Sequence, residues 1–137
     1  MQLVVDTNIL ISFFRDNPVR FIIINSQLLN LELHSPEHCW QELLNLVPVI
    51  SKYSKLSLEQ ITFAFEELKK YIEIIPDELS KPFKLQAEQL IHDKDISIFA
   101  LALKLDCGIW SNEPGFKKQL KIKVFNTKEL KEFLELT

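Results

Sequence analysis

Leu3-Val4-Val5-Asp6-Thr7-Asn8-Ile9-Leu10 decides how the rest of the chain is read. The short apolar, β-branched run at its start predicts a strand buried on both faces, as parallel strands are. Asp6-Thr7-Asn8 then offers side-chain oxygens that cap a helix, and Ile9 to Phe14 continues as a helical turn or two. A buried strand that hands over to a helix within a residue or two is the opening of an α/β fold. An acid stands at the handover.

The same alternation runs outward from this stretch. Pro18 opens a second segment, in which 21–31 is expected to be a buried helix, and Leu31-Glu32-Leu33-His34 alternates as a short strand. Pro36 and Glu37 suit the first turn of a helix carrying Trp40, Leu43, Leu44 and Val47, which Pro48 ends or kinks. Ser57-Leu58-Glu59-Gln60 has capping-box form, with Leu58, Ile61, Phe65 and Leu68 at helical spacing behind it. Ile72 to Ile75 reads as a strand stopped by Pro76, and 86–91 as a polar helical stretch. Ile96 to Leu105 is a strongly apolar helix whose Ala100 and Ala102 permit close packing. Ile109-Trp110 and 122–125 are the last strands, separated by a turn at Glu113-Pro114-Gly115. Asn126 and Glu129 cap a closing helix with Leu130, Phe133 and Leu134 on one face. Short apolar strands alternating with helices predict a three-layer α/β/α sandwich around a mainly parallel sheet. With no linker, repeat or low-complexity tract, residues 1–137 read as a single domain.

Composition narrows the function. The chain has 137 residues, 47% of them hydrophobic, which suffices for one well-formed core. Its two glycines, Gly108 and Gly115, exclude the glycine-rich loops that cradle nucleotide phosphates. A net charge of −3 argues against a broad basic surface for nucleic acid, but not against a nuclease with a small, locally basic groove. Cys39 and Cys107 lack any ligand spacing and read as reduced core thiols. No run approaches the roughly 20 apolar residues of a membrane span. No basic stretch precedes the first apolar one, as it would in a signal peptide. The expected location is the cytoplasm.

In open α/β sheets, ligands bind beyond the carboxyl ends of the strands. Asp6 follows the first strand, Asp93-Lys94-Asp95 opens the apolar helix, and Ser111-Asn112-Glu113 follows the Ile109-Trp110 strand. Each has an ordinary structural reading: a helix cap, an acid at a favourable helix N-terminus, a polar turn. Glu42, inside a helix, reads alone as a solvated residue. Taken together they place several carboxylates and one hydroxyl at one sheet edge, and like charges so gathered call for protons or cations between them. Hard oxygen donors at that density suit Mg²⁺ or Mn²⁺. His34 and His38 straddle Pro36 and read as surface or capping residues, not as a zinc pair.

These residues resemble the PIN-domain ribonucleases. Val4-Val5-Asp6-Thr7-Asn8-Ile9-Leu10 is similar to the family's opening strand and first acid. Residues 36–43 resemble the segment carrying the second acid, at Glu42, and Asp93-Lys94-Asp95 followed by Ala100-Leu101-Ala102-Leu103 resembles the third motif. Ile109-Trp110-Ser111-Asn112-Glu113 resembles the strand that ends in a hydroxyl, a spacer and the fourth acid. Two departures stand out: Glu113 takes a place where the family more often has Asp, and Asp93 is an extra acid beside Asp95.

The resemblance implies a metal-dependent endoribonuclease, often the toxin of a toxin–antitoxin pair and often a homodimer. It implies Asp6, Glu42 and Asp95 as catalytic metal ligands, with Glu113 completing the set and Asp93 as a further candidate. Asn8 and Ser111 would orient ligands or water from behind. Arg15 and Arg20, the only arginines, and Lys117, Lys118, Lys121 and Lys123 offer phosphate contacts, with Arg15, Lys117 and Lys118 the RNA-binding candidates. Phe13, Phe14 and Phe116 read either as core residues or as base-stacking ones.

Two other classes remain. One is a catalytically weak PIN scaffold that acts by binding a protein partner or RNA. The other is an unrelated phosphoryl-transfer domain. A haloacid-dehalogenase-like phosphatase needs a second aspartate where Asn8 stands, and a receiver's acceptor aspartate would fall at Asp77, which reads instead as a helix start.

Overall fold

The computed structural model describes residues 1–15 and 17–136, and of Asp93 the backbone alone. Among the described residues five strands form one sheet: β1 (Gln2–Val5), β2 (Glu32–Pro36), β3 (Ile72–Ile75), β4 (Gly108–Trp110) and β5 (Val124–Phe125). Their order is β3-β2-β1-β4-β5 and every pair is parallel. The chain therefore starts in the middle, steps outward through β2 and β3, and crosses back to β4 on the other side of β1. Such a reversal opens a crevice at the carboxyl ends of the two strands that flank it. Here those strands are β1 and β4.

Helices α1 (Thr7–Ser12), α2 (Pro18–Ile24), α3 (Glu37–Asn45), α4 (Val47–Ser54) and α5 (Leu58–Tyr71) follow β1 and β2. Of these, α3 lies against β2 and β3, α5 against β3, and α1 against α3. A 3-10 helix (Asp77–Phe83), α6 (Lys84–Glu88) and α7 (Ile96–Leu105) follow β3, and α8 (Thr127–Phe133) closes the chain. The result is the expected three-layer α/β/α fold.

The central helix α7 crosses β1, β2 and β4 and is itself covered by α6 and the 3-10 helix. Covered on two sides, it is apolar nearly all round, with Ile98 to Ala102 buried without a break. Asp106 ends it in the left-handed conformation (φ 51°), and the Cys107 N–H returns 3.1 Å to the Ala102 carbonyl. Gly108 then enters β4 through a gap in which a side chain would be crowded. A Cβ there would lie 3.0 Å from the Lys123 carbonyl oxygen and 3.3 Å from Leu3.

Several boundaries differ from the sequence-based expectation. The helix expected over 21–31 is α2, which starts at Pro18 and stops at Ile24. Asn25 turns its side-chain amide back onto the Phe21 carbonyl (2.8 Å), and the polar Asn25-Ser26-Gln27 run continues as turns up to a left-handed Asn30. The chain over 86–91 is helical only at its start, because the helix lies earlier. Pro82, which has no N–H to donate, divides the segment into the 3-10 helix and α6. The helix expected to reach Val47 breaks at Leu46, and Pro48 sits in the first turn of a separate α4. The last strand keeps only Val124 and Phe125, because the Gln119 side chain takes both the N–H (2.8 Å) and the carbonyl (2.9 Å) of Ile122 out of the ladder. Leu44, Leu58 and Phe133, expected on buried faces, are exposed.

Candidate active site

The register of β1 on β4 pairs Val5 with Trp110, so the next residues, Asp6 and Ser111, stand abreast just beyond the strands. Asp6 is the N-cap of α1 and is 4% exposed. Its Oδ1 accepts the Ile9 N–H at 2.9 Å, and its Oδ2 accepts the Ser111 hydroxyl proton. The Ser111 oxygen accepts the Glu113 N–H at 3.0 Å, while the Ser111 N–H is held by the Phe125 carbonyl at 3.0 Å. One serine thus ties the acid after β1 to the turn bearing the acid after β4.

The second acid arrives from α3. This helix starts directly after β2 and packs on α1, where the Thr7 hydroxyl donates to Glu42 Oε1 at 2.8 Å. His38, one turn earlier, brings Nε2 to 3.6 Å from the same oxygen. Asp95 comes from the opposite layer as the N-cap residue of α7, and its carboxylate makes no capping bond to that helix.

The acids act on one another. Burial pushes the Asp6 carboxyl up to about 6; the Ser111 and Ile9 hydrogen bonds oppose this, and the charges of Asp95 and Glu113 add to it. Asp95 is also raised, first by burial and then by Glu113 and Glu42, against the pull of Lys94 and His38. Asp6, Glu42, Asp95 and Glu113 therefore share one electrostatic neighbourhood at the crevice. Even so, among the described residues no three His, Cys, Asp or Glu side chains are gathered tightly enough to hold a metal ion as they stand. Cys39 lies buried beside Thr7 and Ser35, and burial pushes its thiol up to about 12, so it offers no thiolate.

Other expected site residues lie as follows. Asn8 is exposed on α1, and no hydrogen bond joins its side chain to a carboxylate among the described residues; its carbonyl accepts the Ser12 hydroxyl at 2.9 Å. The side chain of Asp93 is outside the described part of the chain. Arg15 is exposed beside Phe14, Val49 and Tyr53 in a groove between α1 and α4. The Lys117 ammonium is paired with Glu129, and Lys118 is exposed. Phe13, Phe14 and Phe116 are buried in the core, where Phe14 packs on Phe65 and Phe116 on Phe99. His34 is not a surface residue: β2 lies inside the sheet, and the imidazole is buried with Nδ1 3.1 Å from Glu73.

The PIN domain family matches residues 4–134 of the chain, from the first strand through the last helix. The chain belongs to the PIN domain family. Two solved structures share its fold. VapBC2 from Rickettsia felis, solved bound to a DNA fragment from its promoter, gives a TM-score of 0.64 at 19% identity, over 92% of this chain and 98% of that one. VapBC-1 from nontypeable Haemophilus influenzae gives 0.64 at 20%, over 93% and 99%. No curated protein matches the chain in sequence.

Within this PIN domain, two residues of the crevice carry more than the sequence suggested. Thr7, next to the first acid, holds Glu42 in the place foreseen for Asn8. His38 meets Glu42 because the two are four residues apart on one helix face, a spacing visible in the sequence once Glu37 is known to start α3.

Proposed function

We propose that this PIN domain is an endoribonuclease that hydrolyses RNA phosphodiester bonds with Mg²⁺ or Mn²⁺ held by Asp6, Glu42, Asp95 and Glu113. The observation that carries the reading is Asp6: a 4% exposed carboxylate whose neighbours include two further acids. Buried charge is costly to fold around, and repulsion from Asp95 and Glu113 adds to the cost, so such an arrangement suits a site that a cation completes. The donor set is all hard oxygen, with no thiolate, which fits Mg²⁺ or Mn²⁺ bound by a few carboxylates with water filling the remaining positions. A cation of this kind supplies Lewis acidity, making water a stronger acid and offsetting charge that grows on the phosphodiester.

The chain's own residues prepare that chemistry. Ser111 and the Ile9 N–H fix the Asp6 carboxylate in one orientation, and each of its oxygens keeps a further lone pair to offer. Thr7 does the same for Glu42, and His38 places a cationic or proton-donating edge beside it. Asp95 carries no capping bond and is free to turn to a ligand.

Cleavage of a structured RNA by purified protein tests the reading, with Mn²⁺ or Mg²⁺ against EDTA and against an Asp6→Asn/Asp95→Asn double variant. Divalent-dependent cleavage that the double variant loses is expected; cleavage that persists in EDTA or in the variant overturns it. The spread of the acids favours one other reading, a scaffold that works by binding RNA or protein. It requires that divalent ions bind only weakly in a direct titration.

A toxin role with an antitoxin partner is supported by the shared fold with two VapBC proteins. A homodimer is supported by Phe21, Ile24 and Leu28, apolar and exposed on and just after α2. A cytoplasmic location fits the absence, among the described residues, of any helix long and apolar enough to cross a membrane.

A further inference from the structure

Beside the acids a groove of about 730 Å³ runs between α7 on one wall and the 3-10 helix with α6 on the other. It begins at the catalytic end: Ile96 and Ser97 follow Asp95 directly, and His38, next to Glu42, forms part of its lining. Lys81, Lys84 and Lys94 also line it. Among the described residues none of these three lysines forms an ion pair, whereas Lys69, Lys70 and Lys117 elsewhere all do. Among the described residues the buried Ser97 hydroxyl has no hydrogen-bond partner, and the Asp95 side chain does not cap the ten-residue helix that begins at Ile96. Of the acids in the lining, Asp77 is engaged by the His38 N–H at 3.4 Å, and neither Glu78 nor Glu88 stands within ion-pair distance of a lysine. Ammonium groups that form no ion pair among the described residues, gathered on one groove beside the acids, match an anion with several oxygens.

We propose that this groove seats backbone phosphates of the RNA strand to one side of the scissile bond, so that the strand enters the acids along α6 and α7 and not past Lys117 and Lys118. The proposal rests on the nuclease reading above. The groove's size lies within the range of sites that enclose small ligands, about 300–1,000 Å³, enough for a short stretch of nucleotide backbone. Contacts to phosphate position a strand without reading its sequence. The groove therefore contributes affinity and register and leaves base preference to other residues.

The test is fluorescence anisotropy of a fluorescein-labelled single-stranded RNA oligonucleotide with the full chain in EDTA. Binding is thereby measured apart from cleavage. Lys81→Ala/Lys84→Ala should weaken binding about tenfold. It should also make the salt dependence of log affinity shallower by between about 1 and 2, since each phosphate contact on single strands contributes about 0.7. Lys81→Arg/Lys84→Arg should bind like wild type. Lys69→Ala/Lys70→Ala, which removes the same charge from α5, should have no effect, and the melting temperature should be unchanged in all three. Wild-type binding in the groove variant, or a loss no larger than that of Lys117→Ala/Lys118→Ala, overturns the proposal. Cleavage in Mn²⁺ separates the two ideas. If the wild type does not cleave yet the groove variant still loses RNA, the nuclease reading falls and with it the placement beside a scissile bond, and the groove remains only a site for RNA backbone. If the wild type cleaves while its binding ignores the groove lysines, the groove alone falls.

Discussion

Asp6 and Asp95 occupy the same local position, the N-cap of a helix, at two ends of one cluster of acids, yet the fold treats them in opposite ways. Asp6 is buried, bonded through both oxygens, and placed by the register of two central strands. Asp95 is partly exposed, makes no bond to its helix, and rests on a 3-10 turn. The first is a piece of the core that happens to be charged, and its environment strains against that charge. The second is a surface acid held near the site by the helix behind it. In the metal site proposed above, Asp6 would be the ligand fixed by the scaffold and Asp95 the one able to adjust.

The sharpest way to break this comparison is to neutralise each acid in turn. Both Asp6→Asn and Asp95→Asn should lose divalent-dependent cleavage by more than about a hundredfold, since even residues that only support a ligand cost about 10- to 100-fold. An assay in Mn²⁺ in which either variant keeps wild-type rates removes that residue from the site.

Their stabilities should diverge. The Asp6 carboxyl titrates near 6 in the folded chain against an ordinary value of 3.8, so ionising it opposes folding. Metal-free protein should be most stable below about pH 4 with respect to this group, and should lose stability as the pH rises through 6. The loss is about 2–3 kcal/mol at most. Asp6→Asn, which also caps well, should flatten that part of the pH profile of urea unfolding. A wild-type profile that rises across pH 4–6 and is unaffected by the variant would show that the burial of Asp6 carries no such penalty.

Ser111→Ala removes the hydroxyl that serves Asp6 and the Glu113 turn at once. It should destabilise the chain by about 1.5–3 kcal/mol, the range for a buried bond to a charged group, and should push the Asp6 titration higher still. Thermal melting together with the pH profile checks both. The smallest effect is expected at Asp95→Ala, where no capping bond is lost: a change within about 0.5 kcal/mol. A larger loss there would mean that Asp95 supports α7 after all, and the contrast with Asp6 would narrow.

The sequence disclosed most of this where local chemistry and tertiary role agree. Asp6, Ser57 and Asn126 all cap helices where their side chains can reach forward to N–H groups, and the capping boxes at Ser57–Gln60 and Asn126–Glu129 form in full. The continuous apolar run of Ile96 to Leu105 gave α7 to the residue. What escaped depended on partners distant in sequence or on side chains that replace backbone bonds. The last strand loses half its length to Gln119, and α2 ends early where Asn25 folds back. The support of Glu42 by Thr7 crosses 35 residues, and no spacing along the chain encodes it. Buried His34 escaped because its partner Glu73 lies on the neighbouring strand β3.

The hydrogen bond between Ser111 and Asp6 joins residues 105 apart. β1 is the first strand to be synthesised, yet it lies at the centre of the sheet and waits for β4 to complete it. A nascent chain that has not yet reached Gly108 already contains Asp6, Glu42 and Asp95 but lacks the strand that seats the first of them. Long-range pairings of this kind form late in folding. Asp6 therefore takes its final place only once the residues through Ser111 have been made and paired.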